Sequence, residues 1–237
     1  MICVLGISDK DAYRSARWLE WVAELAQYET SPQTKLIVTL TKRARDTAYN
    51  RIKPAVDTAS DAIWTLPDEC ETGYPKASSH LFLRSMFYVE QTFHGEPILW
   101  LESDAIPMRP NWRRDIAKEY ATCNKPFLGV IERGHGFVHM PGVAVYPPNW
   151  AKLAPLLANV LNAPDIPLWG RDRGQAWDTY AASQTVPQCA EAKTIQQIWN
   201  PPHPITKEWA AKNIRPETAL FHQVKHASLI RLLRETL

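Results

Sequence analysis

The sequence has no closely spaced cysteines: Cys3, Cys70, Cys123 and Cys189 are scattered without a C-x-x-C pair, which argues against structural zinc and against a disulfide framework. No apolar run approaches the length that spans a bilayer, so no membrane partner is expected. Met1-Ile2-Cys3-Val4-Leu5-Gly6 lacks the basic region and long apolar core of a secretory signal and reads as a first strand, giving the expectation of a cytoplasmic protein with reduced thiols. A net charge of +2 is too small to announce a nucleic-acid partner. Local basic clusters at Lys42-Arg43-Ala44-Arg45 and within 109–114, 171–173 and 225–234 read as solvated faces or as phosphate contacts. No G-x-x-x-x-G-K-[ST] segment occurs, which weakens a nucleotidyl or phosphoryl transferase built on a phosphate loop. There is neither an internal repeat nor a low-complexity tail.

What is present is a chain of 237 residues, 45% apolar and 22% charged, long enough to bury a sizeable core as one α/β domain or two small lobes. Ten tryptophans are many for this length, and because indole stacks on sugar rings and bases they favour a carbohydrate or nucleotide ligand. Apolar, β-branched runs at 2–8, 35–41, 61–66, 97–103 and 127–131 read as strands separated by stretches of helical spacing, the α/β pattern. The clearest helix is capped by Asp11, with Ala16, Leu19, Val22, Ala23 and Ala26 on one face; another follows Tyr74-Pro75 with Leu81, Phe82, Ser85, Met86 and Val89 inward. Beyond Pro107 proline becomes dense, which predicts shorter elements and long ordered loops in the C-terminal half.

The most informative stretch runs from Pro97 to Pro107, where a buried strand ends in Glu102-Ser103-Asp104. Ligands of open α/β sheets gather outside the carboxyl ends of strands, and carboxylate oxygens suit hard ions such as Mg²⁺ or Mn²⁺. The competing reading is that both acids cap a helix beginning near Pro110. A third element lies at 219–225, a short strand bearing His222 and, three residues on, Lys225. The imidazole suits a cation held by Asp104 and the ammonium suits a phosphate oxygen; a hydrogen-bonded core histidine is the alternative.

Six segments in succession resemble blocks of phage and bacterial glycosyltransferases of GT-A type: 74–82, 99–107, Phe127-Leu128-Gly129, 139–147, Ala176-Trp177-Asp178 and 220–230. The resemblance implies a GT-A-like, Rossmann-type mixed sheet flanked by helices in one globular domain over 1–237. Residues 1–107 would form the nucleotide-sugar half and 108–237 the acceptor half, which carries the C-terminal metal and diphosphate element. It implies Ile7, Ser8 and Asp9 at the base and ribose, Asp104 and His222 on a Mn²⁺ or Mg²⁺ ion, and Lys225 on the diphosphate. Glu102 stands first in a D-x-D-like motif, as a ligand of the ion or a contact of ribose or water. Lys76 and His80, with Arg84 one turn on, would approach the sugar nucleotide, and His139 and Gly142 would form the wall where donor sugar and acceptor meet. Pro141 stands where a polar residue is expected, and relatives often carry Gly or Cys at Gln223 or Val224.

Transfer from a sugar diphosphate leaves negative charge on the leaving group, which a divalent ion stabilises, and an inverting reaction also needs a general base. Asp178 is the candidate base, with Trp177 flooring the acceptor pocket; an N-cap is its other reading, and a retaining enzyme would need no such base. The phage resemblance points to a hydroxymethylated pyrimidine in DNA as acceptor, with basic residues of 109–114, 171–173 and 225–234 near the catalytic end of the sheet and Trp169 or Trp177 stacking on an exposed base. A small glycan, a surface polysaccharide, or a module that binds nucleotides or nucleic acid without catalysis are the alternatives.

Overall fold

The computed structural model describes residues 1–30, 34–67, 75–134, 138–162 and 176–237. The N-terminal apolar run forms β1 (Ile2–Ile7), and β2 (Leu36–Leu40), β3 (Ala62–Thr65) and β4 (Ile98–Leu101) follow from the expected runs. Further along are β5 (Ile106–Pro107), β6 (Phe127–Gly129), β7 (Ala144–Tyr146), β8 (Cys189–Glu191), β9 (Ile195–Gln197) and β10 (Leu220–His222). The first five helices are α1 (Ala12–Ala26), α2 (Lys42–Thr47), α3 (Tyr49–Ala59), α4 (Lys76–Thr92) and α5 (Trp112–Thr122), all but α2 of eleven residues or more. The proline-rich half has shorter ones, α6 (Trp150–Leu153), α7 (Pro155–Ala158), α8 (Trp177–Tyr180), α9 (Ala182–Thr185), α10 (Lys207–Asn213) and α11 (Ser228–Arg234).

Seven strands form one sheet in the order β3-β2-β1-β4-β7-β6-β8, in which β7 alone runs against its neighbours. A small sheet, β5-β10-β9, is attached through the chain that leaves β4. Burial on both faces explains why the central strands read as continuous apolar runs. Along β1, Cys3, Leu5 and Ile7 pack with α1 and α3 on one face, and Ile2 and Val4 pack with α4 residues Phe82, Met86 and Val89 on the other. Among the described residues no helix is long and apolar enough to cross a membrane.

Two local expectations change. Asp11 stands at the N-cap of α1, but its carboxylate accepts hydrogen bonds from Ser8 Oγ (2.7 Å) and Arg14 Nη2 (2.8 Å) instead of from the helix backbone. Glu102 and Asp104 cap no helix: β5 intervenes, and α5 begins after Asn111, which adopts a left-handed backbone at φ 60°. The turn joining β4 to β5 is fixed from α1, where Trp18 Nε1 donates to Ala105 O at 2.5 Å and Trp21 Nε1 to Pro107 O at 2.7 Å. The short strands β5, β7, β8 and β9, of two or three residues each, carry too little periodicity to be read from sequence.

Candidate functional site

β4 delivers Glu102 and Asp104 to the carboxyl edge of the sheet, and β10 brings His222 to the same point. The two segments are tied there, because Val224 N donates to Asp104 O at 2.9 Å. His222 Nε2 lies 3.3 Å from Asp104 Oδ1 and 3.5 Å from Glu102 Oε2. Asp104 and His222 are buried, and Glu102 is partly open to solvent. The other ring nitrogen, Nδ1, is 2.7 Å from Gln197 Oε1, which β9 holds in register beside His222. That bond turns Nε2 toward the acids.

Electrostatics at this point are strongly coupled. Burial disfavours charge on His222, but the Asp104 and Glu102 carboxylates outweigh it and push the imidazolium up to about 9. Burial likewise disfavours charge on Asp104, yet His222, Arg14 and Lys225 together hold its carboxyl below the usual range. Asp104 Oδ1 and His222 Nε2 are nonetheless buried without an aligned hydrogen bond, although they face one another. Ligand atoms of Glu102, Asp104 and His222 all lie within 4.8 Å of one another. Two carboxylates and an imidazole converging with unsatisfied atoms fit a divalent cation such as Mn²⁺ or Mg²⁺.

Around this cluster opens a cleft of about 760 Å³. One wall comes from the ends of β1 and β2, with Ser8, Asp9, Thr41 and Arg43, and Arg43 Nε pairs with Asp9 Oδ2 at 3.0 Å. The opposite wall comes from the second half of the chain, with His139, Pro141, Gly142, Trp177, Asp178 and Trp199. Because β7 is antiparallel, the segment entering it reaches the carboxyl edge beside Glu102. Gly142 is required there: a Cβ would stand 2.5 Å from Trp177 Cζ2 and 2.9 Å from Glu102 Oε1. Asp178 Oδ2 lies 3.9 Å from His139 Nε2, and burial, reinforced by the charge of Glu102, pushes its carboxyl up to about 7.

The expected residues do not all meet here. Ser8, Asp9, Glu102, Asp104, His139, Gly142, Trp177, Asp178, His222 and Lys225 line the cleft. Ile7 does not, its side chain being wholly buried in the core. Lys76 and His80 do not line it either; from α4 the cleft receives Ala77, Ser78 and Leu81, while the buried His80 ring accepts from Arg84 Nε at 3.2 Å. Asp178 lies inside α8, whose N-cap is Ala176, so the capping alternative fails. Trp177 has one face stacked on Phe82, with ring centroids 4.8 Å apart.

The basic stretches are mostly elsewhere. Arg113 is buried and donates to Thr34 O (2.6 Å), at the amino end of β2 and so at the far edge of the sheet. Arg109 donates to the backbone of Pro216 and Glu217, and Arg234 pairs with Glu24 near the end of α1. Among the described residues, Arg43 and Lys225 are the members of these stretches that line the cleft; 171–173 and Trp169 lie outside the described residues. Sequence reasoning missed Arg14, 3.7 Å from Asp104 Oδ2, along with Gln197 and Trp199, and named Arg43 only as part of a basic cluster. Arg14 was signalled only by its place shortly after a strand end, and Gln197 and Trp199 by nothing local.

No protein-family model matches the chain, and no curated protein does. Among solved structures, the chain superimposes along its full length on an active-site mutant of LgtC at TM-score 0.57 and 10% identity, covering 96% of that chain. The galactosyltransferase LgtC in complex with donor and acceptor sugar analogs gives TM-score 0.54 at 11% identity, with 100% and 96% of the two chains covered. Mouse xyloside xylosyltransferase 1 gives 0.54 at 10% identity, covering 94% of this chain and 96% of that one. The chain thus has the GT-A glycosyltransferase fold, a mixed seven-stranded sheet flanked by helices in one domain.

Proposed function

We propose that this protein is a metal-dependent glycosyltransferase that moves a sugar from a nucleotide diphosphate donor, a UDP-sugar by preference, to a hydroxyl acceptor. The observation that carries this is the convergence of Glu102, Asp104 and His222 between the two walls of one cleft, in a fold shared with sugar transferases. Asp104 and His222, with Glu102, would hold Mn²⁺ or Mg²⁺, which when bound offsets the charge developing on the leaving diphosphate.

The chain's own residues supply the rest. Residues 1–107 give the nucleotide wall, where Ser8 and Asp9 offer hydroxyl and carboxylate oxygens to base and ribose. Lys225, exposed at the rim, neutralises a phosphate oxygen. Residues 108–237 give the acceptor wall. There Asp178, with a carboxyl near 7, is matched to accept a proton from an attacking hydroxyl at neutral pH if configuration inverts. Thr179 N, donating to Asp178 Oδ1 at 2.9 Å, orients the carboxylate, and His139 Nε2 stands 3.9 Å from its other oxygen.

For the acceptor, a hydroxymethylated pyrimidine in DNA loses support, since Arg109, Arg113 and Arg234, among the cations expected to bind phosphates, are engaged away from the cleft. A glycan is the better reading. The test is thermal stabilisation by a panel of nucleotide sugars with and without Mn²⁺, followed by donor hydrolysis and transfer assays. A metal-dependent rise with one donor, lost in Asp104→Asn and His222→Ala, is expected; donor binding indifferent to metal and to both substitutions overturns the reading.

A further inference from the structure

Arg14 stands in the first turn of α1 with its guanidinium between two carboxylates: Nη2 donates to Asp11 Oδ1 at 2.8 Å, and Nη1 lies 3.7 Å from Asp104 Oδ2. Its place is fixed at both ends. One turn on along the same helix face, Trp18 Nε1 donates to Ala105 O at 2.5 Å, which holds that face against the turn carrying Asp104. Ser8 Oγ donates to Asp11 Oδ2 at 2.7 Å, so the brace of the guanidinium is itself held. The two oxygens of Asp104 are thereby divided, Oδ1 toward His222 Nε2 at 3.3 Å and Oδ2 toward Arg14.

The other charges lining the cleft leave this arrangement in force. Arg43 is paired with Asp9 at 3.0 Å, the exposed Lys10 and Asp46 are opposite in sign, and Asp178 stands on the far wall beside His139. Lys225 adds a second cation at the rim. A divalent ion arriving alone at Asp104 is therefore opposed by Arg14, only partly offset by Asp11, whereas a diphosphate is drawn to the same guanidinium. We propose that Arg14 sets the order of ligand entry: its charge opposes an ion arriving alone beside Asp104, and its fork takes a diphosphate oxygen, so that the ion enters in company with the nucleotide diphosphate. The assignment rests on the transferase reading above and names the way in which that site fills.

The test titrates the full chain by calorimetry, with Mn²⁺ alone and with UDP at saturating Mn²⁺. Arg14→Met, similar in length and uncharged, should bind Mn²⁺ alone about tenfold more tightly and UDP about tenfold less tightly, each change being about 1.4 kcal/mol, so that the total for both ligands stays nearly constant. Arg14→Lys, which keeps the charge and loses the fork, should leave Mn²⁺ affinity within about twofold of the parent and weaken UDP less than Arg14→Met does. Asp11→Asn, which leaves Arg14 without its partner carboxylate, should move Mn²⁺ affinity the other way and weaken it.

Affinities for Mn²⁺ and UDP that fall together in Arg14→Met, as a loosened site would give, or that do not move, overturn the assignment. So does Mn²⁺ binding strengthened as much by Arg14→Lys, which would make shape and not charge the cause. Arg14→Lys and Asp11→Asn decide the matter even where Arg14→Met fails to fold. A parent chain that binds neither UDP nor any nucleotide sugar at saturating Mn²⁺ sinks the transferase reading itself, so the two failures are distinct.

Discussion

His222 makes metal binding a proton-exchange reaction, and the size of the effect follows from its surroundings. The ring must be neutral to donate Nε2 to a cation, whereas the two carboxylates hold its protonated form up to about 9. At pH 7 about one chain in a hundred is then ready to bind, a handicap of about 3 kcal/mol. Affinity for Mg²⁺ or Mn²⁺ should rise about tenfold for each pH unit between 6 and 8, with about one proton released per ion, and should level off near 9. Calorimetry in buffers of different ionisation enthalpy counts those protons. The metal-free fold has the opposite dependence: the pair stabilises it fully below the ring's unfolded value of 6.5, and that contribution, up to about 3 kcal/mol, is lost as pH rises through about 9. A flat affinity profile, no proton release, or the same slope in His222→Gln refutes the reasoning.

Four other outcomes are expected. Asp104→Asn should abolish metal-dependent turnover while costing the metal-free fold only about 3 kcal/mol or less in chemical denaturation, because His222 can shed its proton when its partner is removed. Asp178→Asn should lower kcat by about 10²–10⁴ in an inverting enzyme and remove the rise of rate with pH. In the parent that rise should fall at or below about 7, since a bound cation offsets the push of Glu102; it is read from the kcat profile. Gly142→Ala should destabilise by about 1–3 kcal/mol in thermal unfolding and impair turnover, because the added methyl displaces Trp177 or Glu102. Trp18→Phe should cost about 1–2 kcal/mol by leaving Ala105 O without its buried donor, measured by denaturant midpoint.

The parts of this chain written as long periodic or apolar runs were legible in sequence, and the parts made by distant approach mostly were not. The runs at 2–8, 35–41, 61–66 and 97–103 become β1 to β4 with one or two residues trimmed at each trimmed end, mostly polar residues or proline that border the apolar run. The pairing of Asp104 with His222, remote in sequence, was expected from their chemistry, and the structure sets them 3.3 Å apart. Gln197 shows the limit, because only the parallel register of β9 with β10 sets it beside His222. The basic stretches misled for a related reason: charge along the chain says nothing of which end of a sheet it reaches, and Arg113 reaches the amino end. Gln223 adopts a left-handed backbone at φ 81°, so the position that invites glycine is visible once the turn is seen.

The reversed direction of β7 has one further effect. In a purely parallel sheet every connection leaves the carboxyl rim and none comes in, whereas here the polypeptide descends into the sheet through that rim between the outgoing segments. The rim thus gains an inbound connector whose length can vary without shifting the outgoing ends of β1 and β2. The two walls of the cleft can therefore change independently over evolutionary time.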